Sequence, residues 1–371
     1  MGFVCRIPGL LVSALCVVST AAAFEWAPRR IDGRDYVTTG QVLQFYGLSK
    51  DLETASTGQA AMELSFRPDT REVVIHGLKH VLAFPVLERD GKLWVSRLDL
   101  SRTIEPALRP GFVAGIERPR TVVLDAGHGG HDKGAVGPYQ YEKNFALDVT
   151  RRVRDELRRA GVDVFLTRNS DTFIELPVRA EMAARKKDAI FVSLHFNAAP
   201  NSAAQGFEIY SVTPRGAPSS QADELLARDM VQEFGNAYEL QSSVLANAIY
   251  HAMHGRLRMM DRGIKRARFA VLRLAKMPAV LVEGGFLSNP VDARRIASPK
   301  WRTQYANAVA EGILAYFALA DSKQRPPLVA DYRAGERVQV AATPAPEPPD
   351  PAVLLRDLPD DKPPPGTPER R

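Results

Sequence analysis

Thr121-Val122-Val123-Leu124-Asp125-Ala126-Gly127-His128-Gly129-Gly130 is the stretch on which the reading of this chain turns. Three apolar, mostly β-branched residues follow a threonine and run into an aspartate and a glycine cluster, the pattern of a buried strand entering a tight loop. Over residues 143–160, Phe145, Val149, Val153 and Leu157 recur every four positions, Arg and Asp fill the other face, and Gly161 follows. That spacing predicts an amphipathic helix with a glycine stop. Further out, apolar runs at residues 162–167, 189–195, 205–212 and 279–283 predict four more strands. Tyr305, Val309, Ile313 and Phe317 predict a final helix over 302–319. Strands alternating with helices of 10–17 residues from 119 to 320 predict an α/β domain.

The flanks read differently. Residues 24–118 carry short alternating apolar runs at 71–75, 81–84 and 93–95, a turn at Asp90-Gly91-Lys92 and one helical pattern at 39–46. They predict a small β-rich domain without a reactive constellation, bounded by Pro106, Pro110, Gly111 and Pro119. Residues 321–371 hold 12 of the 27 prolines, including Pro363-Pro364-Pro365, and read as an extended, disordered tail. Residues 1–23 have a basic start at Arg6, an apolar stretch and Ala21-Ala22-Ala23, the pattern of a secretory signal cut after Ala23. Both cysteines, Cys5 and Cys16, fall inside that segment, and Leu15 is too large for a lipid-attachment site at Cys16. The expected mature chain therefore has no disulfide, no thiol nucleophile, no thiolate metal site and no stable membrane anchor.

Composition narrows the classes. Among 371 residues, 45% are hydrophobic and 25% charged, which excludes a wholly disordered chain, a collagen-like rod and a polytopic membrane protein. The net charge of +6 is compatible with an acidic polymer as partner. No basic run with interleaved aromatics stands out, so nucleic acid is set aside.

Three of the predicted strands end in groups that can do chemistry. The first runs into His128, the third ends Ser193-Leu194-His195-Phe196-Asn197, and the fifth ends Val282-Glu283-Gly284-Gly285-Phe286. Ligands of open α/β sheets bind outside the carboxyl ends of strands, so His128, His195 and Glu283 are expected in one crevice. Glu142, opening the long helix, is expected at the same edge. Two imidazoles and one carboxylate are the ligand set of many hydrolytic zinc sites, and a further carboxylate can take the proton of the attacking water. From the residues alone, each of these is equally readable as a hydrogen-bonded structural group.

The segments VVLDAGHGGHDKGAVGP, YEKNFALDV, FVSLHFNA and PAVLVEGGFLSNP, in this order, resemble the zinc-dependent N-acetylmuramoyl-L-alanine amidases of bacterial cell-wall turnover. The resemblance spans residues 120–320 and implies a central mixed sheet flanked by helices on both faces. It implies His128, Glu142 and His195 as ligands of one Zn²⁺ and Glu283 as the catalytic glutamate. It also implies peptidoglycan as substrate and a protein activator as a possible partner. The disulfide-free mature chain and the lack of wall-anchoring repeats point to the periplasm, with the cell exterior or the wall as the alternative. The alternatives are another zinc peptidase of stem peptides and a non-catalytic peptidoglycan-binding regulator. Residues 24–118 faintly resemble the copper amine oxidase N-terminal-like domains of envelope proteins, through Ile31-Asp32-Gly33-Arg34, Val73-Val74-Ile75 and Leu93-Trp94-Val95-Ser96. That resemblance implies a wall-targeting role and no copper chemistry.

Other groups are weighed beside these. Asp125 is expected to orient His128, and Lys265, Arg266 and Arg268 either meet substrate carboxylates or form a solvated basic face. Asn197 serves the substrate or a turn. His131, three residues after His128, competes with it as a ligand, but the family match favours His128; the i, i+3 pair His251 and His254 has no carboxylate partner and reads as part of a surface helix, and His76 and His80 read as surface residues. Some relatives carry an inserted helix that places a carboxylate on the zinc; here the segment 214–242 is short, and its stretch 222–234, with Asp223, Glu224, Asp229 and Glu233, is expected as a helix on the rim.

Overall fold

The computed structural model describes residues 24–48, 64–222 and 224–322; the expected signal and the tail beyond 322 lie outside them. The N-terminal part contributes β1 (Arg29–Ile31), β2 (Arg34–Thr38), β3 (Leu64–Phe66), β4 (Glu72–Ile75), β5 (Leu78–Val81), β6 (Leu87–Arg89) and β7 (Lys92–Ser96). The rest contributes β8 (Thr121–Ala126), β9 (Asp163–Leu166), β10 (Ala189–Asn197), β11 (Phe207–Val212), β12 (Asp261–Ala267) and β13 (Ala279–Phe286). Strands β1, β2, β7 and β6 form a small antiparallel sheet. The other nine form one mixed sheet in the order β3-β4-β5-β12-β11-β13-β10-β8-β9.

Strands β9, β8, β10 and β13 run parallel, and β11 is antiparallel to β13. The sheet is therefore mixed, as the resemblance implies. Every residue of β8 is buried, as a central strand covered on both faces must be. On one face Val122, Leu124, Ile190, Val192, Val280 and Val282 pack against helices Glu142–Arg159, Glu239–Arg256 and Pro299–Asp321. On the other, Val123, Phe191 and Leu281 pack with Ala183 of helix Leu176–Ala184 and with Val271 and Leu272. The four-residue stripe Phe145, Val149, Val153, Leu157 is the buried face of helix Glu142–Arg159, and Gly161 follows in the left-handed conformation at φ 78°.

The helix Thr39–Tyr46 forms where its pattern places it, started by a capping box between Thr38 and Gln41. The N-terminal region has its own apolar core of Val37, Phe45, Tyr46, Val73, Ile75, Val95 and Ile104. It also lends β3–β5 to the central sheet, through a parallel pairing of His80 with Ile264. Arg71 donates to the carbonyl of Ala222 and Arg266 to that of Arg102, and Arg102 pairs with Glu239 at 2.7 Å. Strand β12 has no counterpart in the sequence reading, because Asp-Arg-Gly-Ile-Lys-Arg-Ala shows neither an apolar run nor alternation. No helix among the described residues is long and apolar enough to cross a membrane.

Candidate metal centre and its glutamate

Because β8, β10 and β13 are parallel neighbours, their carboxyl ends share one edge. There β11, running the other way, presents its beginning. His195 sits opposite Glu283 across β10 and β13, and Glu283 sits opposite Glu208 across β13 and β11. His128 lies just beyond β8, where Gly127 N–H bonds the Leu194 carbonyl and the loop turns with His128 itself at φ 59°. A non-glycine residue in this region is uncommon and is held only by its surroundings. Glu142 is the first residue of its helix, at the end where the dipole favours a negative charge.

Glu142 is the hub. Its Oε1 lies 2.9 Å from His195 Nδ1 and 3.1 Å from His128 Nε2, and it accepts the Phe196 N–H at 3.0 Å. Its Oε2 accepts the Ala135 N–H at 2.8 Å. One ligand atom from each of the three residues lies within 4.8 Å of the others. The imidazoles stand edge to face at 4.9 Å. Burial opposes ionisation of Glu142, but its hydrogen bonds with the two histidines hold its carboxyl well below the usual range. Burial likewise opposes a charge on His128, yet the carboxylates of Asp132 and Glu142 push it up to about 10. Two imidazoles and one carboxylate converging on one point are a donor set that fits a catalytic zinc.

Glu283 has the opposite character. Its Oε2 is buried with no hydrogen-bond partner among the described residues. Burial, then the neighbouring Glu142 and Glu208, raise its carboxyl well above the ordinary value. Glu208 beside it is saturated: Tyr210 and Asn197 donate to its Oε1 and Arg262 to its Oε2, while Lys265 pairs with it as well.

The loop bearing His128 is clamped from behind by two arginines. Arg168 donates to the carbonyls of Ala126 and Gly127, and Arg179 to those of Ala126 and His128. Arg179 also pairs with Asp125 at 2.8 Å. Two glycines are sterically required here. A β-carbon on Gly127 would run into the His195 ring, and one on Gly134 would come within 2.6 Å of Glu142 Oε2 and of His128.

Several readings change. Asp125 does not touch His128: it is bound by Thr167, Ser193 and Arg179, and it is Asp132 Oδ2 that holds His128 Nδ1 at 2.8 Å, leaving Nε2 to face Glu142. An acceptor on the outer nitrogen is what fixes the tautomer of a ligating imidazole. Arg266 is buried on Ser211, Ser243 and the Arg102 carbonyl, and Arg268 pairs with Asp229, so neither is a solvated basic face nor a crevice group. Asn197 bonds Glu208. His80 is buried, not a surface residue, and burial followed by the charge of Arg266 lowers it to about 3. His131 stacks on Phe173 outside the ligand group, and His76, His251 and His254 are exposed.

The helix expected at 222–234 does not form. The segment makes 3₁₀ turns at Ala227–Met230 and Phe234–Tyr238, Asp229 pairs with Arg268 and Glu233 with Arg273, and Glu224 is exposed. None of these three carboxylates joins the ligand cluster; Asp223 lies outside the described residues.

Arg168, Arg179, Asp132, Glu208 and Arg262 escaped the sequence reading. Only Asp132 carried a signal there, four residues after His128 in the same glycine loop.

The mixed α/β sheet carries two histidines and a glutamate at its edge, a donor set that could hold a metal ion, with a further carboxylate one strand away. A family model described as N-acetylmuramoyl-L-alanine amidase, Amidase_3, matches residues 122–315, more than half of the chain. The chain belongs to this family. It is 33% identical over 245 residues to the N-acetylmuramoyl-L-alanine amidase AmiC of Escherichia coli O6:H1, covering 59% of this chain and 58% of that protein. It is 34% identical to AmiA of Escherichia coli K12, covering 55% of this chain and 78% of that protein. The chain thus spans less than two thirds of the length of the AmiC protein. The catalytic domain of CwlV, an N-acetylmuramoyl-L-alanine amidase from Bacillus (Paenibacillus) polymyxa var. colistinus, aligns at 32% identity and a TM-score of 0.45, covering 54% of this chain and 99% of that one.

Proposed function

We propose that the chain hydrolyses the amide joining the lactyl group of N-acetylmuramic acid to L-alanine in peptidoglycan, with His128, Glu142 and His195 holding Zn²⁺ and Glu283 as general base. The observation that carries this reading is the juxtaposition of the His128–Glu142–His195 cluster with Glu283, which lies opposite His195 across two strands and whose buried Oε2 has no hydrogen-bond partner among the described residues. A zinc ion held by His128, Glu142 and His195 would supply Lewis acidity to the amide carbonyl and lower the pKa of water toward neutral.

The chain's own groups do the rest. Asp132 holds His128 by Nδ1, and the N–H groups of Ala135 and Phe196 fix both oxygens of Glu142. Glu283, raised in basicity by burial and by Glu142 and Glu208, takes the proton of the attacking water. It then delivers a proton to the departing alanine nitrogen, so that the C–N bond breaks to a neutral amine. The role is cell-wall turnover and daughter-cell separation, in the periplasm, with residues 24–118 as a wall-targeting region. Digestion of purified wall material tests the bond assignment. Intact stem peptides with a free L-alanine amine, and bare glycan, are the expected products. Cuts within the peptide would make the protein another peptidase, and no release with full zinc loading would make it a binding protein.

A further inference from the structure

Glu208 needs one cation to neutralise it and has two. Its side chain is 2% exposed and engaged by four donors, whereas Arg262 is 30% exposed and Lys265 14%. Glu208 thus holds two cations, one more than its own charge requires. Arg262 spends only its Nε on Glu208; its Nη groups donate to no described residue, and its guanidinium lies over the Phe286 ring at 4.8 Å. Phe286 ends β13, three residues beyond Glu283. The strand order then arranges the edge as a row. The metal ligands lie on the β10 and β8 side of Glu283, and the cations lie on the β11 and β12 side.

We propose that Arg262 and Lys265, seated on Glu208, form a carboxylate-recognition subsite on the side of Glu283 away from His195, and that it selects substrates bearing a free carboxylate next to the scissile amide. This rests on the amidase reading above. A guanidinium with both Nη groups free offers the planar fork that matches a carboxylate. An anionic residue following the alanine would be steered there. Glu208 acts as a positioning residue, fixing both cations and tying them to β10 through Asn197.

The test uses two soluble muramoyl peptides that differ only in the residue after L-alanine, glutamic acid with its α-carboxyl free or as the carboxamide. The full-length, zinc-loaded protein is expected to prefer the acid by roughly tenfold or more in kcat/KM, the size of one hydrogen bond to a charged group. Arg262→Gln and Lys265→Met are expected to bring that ratio toward one, and Lys265→Arg to retain it. Arg262 is part-exposed, so its variant decides the matter if Lys265→Met does not fold. An unchanged ratio, or equal losses on both substrates, overturns the subsite. Wild-type protein that cleaves both substrates equally defeats the subsite alone; wild-type protein that cleaves neither defeats the amidase reading with it.

Discussion

His195 and Glu283 occupy paired positions on the parallel strands β10 and β13, one carrying an imidazole bonded to Glu142 and the other a carboxylate without a hydrogen bond to its Oε2. Side chains at such positions point to the same face of the sheet about 5 Å apart. The β-sheet register thus sets the spacing between His195 and Glu283, and no loop has to be ordered to bring them together.

Removing any of His128, Glu142 or His195 should release the metal. His195→Ala leaves two protein ligands, too few for a stable catalytic zinc site. Metal analysis of the purified, folded variant is expected to show strongly reduced zinc and no hydrolysis. Full zinc occupancy would mean the ligand set is misassigned.

Arg179→Met should destabilise the fold. The variant leaves Asp125 buried without its cation, frees the carbonyl of His128 and leaves that of Ala126 to Arg168 alone. Breaking a buried pair from one side costs about 3–5 kcal/mol. Chemical denaturation is expected to show a loss of that order; a change below about 1 kcal/mol, the range of exposed ion pairs, would show that the clamp does not hold the loop.

Chelator-treated protein should carry a pH signature of His128. Its folded value of about 10 lies above its ordinary 6.5, so its contribution to stability is complete below pH 6.5 and is lost as the pH rises toward 10. The difference in unfolding free energy between metal-free wild type and His128→Gln should shrink across that window. A difference that stays constant or grows would contradict the Asp132–His128–Glu142 arrangement.

Truncation to residues 119–322 should lower stability and solubility even though the ligands and Glu283 remain. It removes β3–β5, exposes the edge of β12, and strips Arg102 from the buried Glu239. A truncated protein with unchanged Tm and no aggregation would show the N-terminal region to be energetically separate.

Much of this was legible in local pattern. Strands β8, β9, β10, β11 and β13 stand out as apolar runs, the helix Glu142–Arg159 as a four-residue stripe, and His128, His195 and Glu283 as polar breaks at strand ends, with Glu142 opening the helix. What stayed hidden depends on distance in the chain. Glu208 reads as an ordinary polar position in a strand until β13 places it beside Glu283. Arg168 and Arg179 look like surface arginines, because nothing local says that they close over backbone carbonyls 41 to 53 residues away. The joining of β5 to β12 is a long-range pairing with a single register contact, and Gly263 with its charged neighbours conceals β12 itself. In place of the expected helix at 222–234, Asp229 and Glu233 pair with Arg268 and Arg273, partners about 40 residues away in the chain that no local pattern announces.

The account is tested most directly by wild type and Glu283→Gln side by side on a soluble muramoyl peptide, with products read by mass spectrometry and zinc measured in the same samples. Wild type should yield the intact peptide with a free L-alanine amine and the intact lactyl sugar. The variant keeps all three ligands and the size of the side chain, so it should hold its zinc while turnover falls by about 10²–10⁴, the usual contribution of a general base. Near-normal turnover in the variant, or loss of its zinc, would contradict the assignment of Glu283 as the base beside a His128–Glu142–His195 metal site.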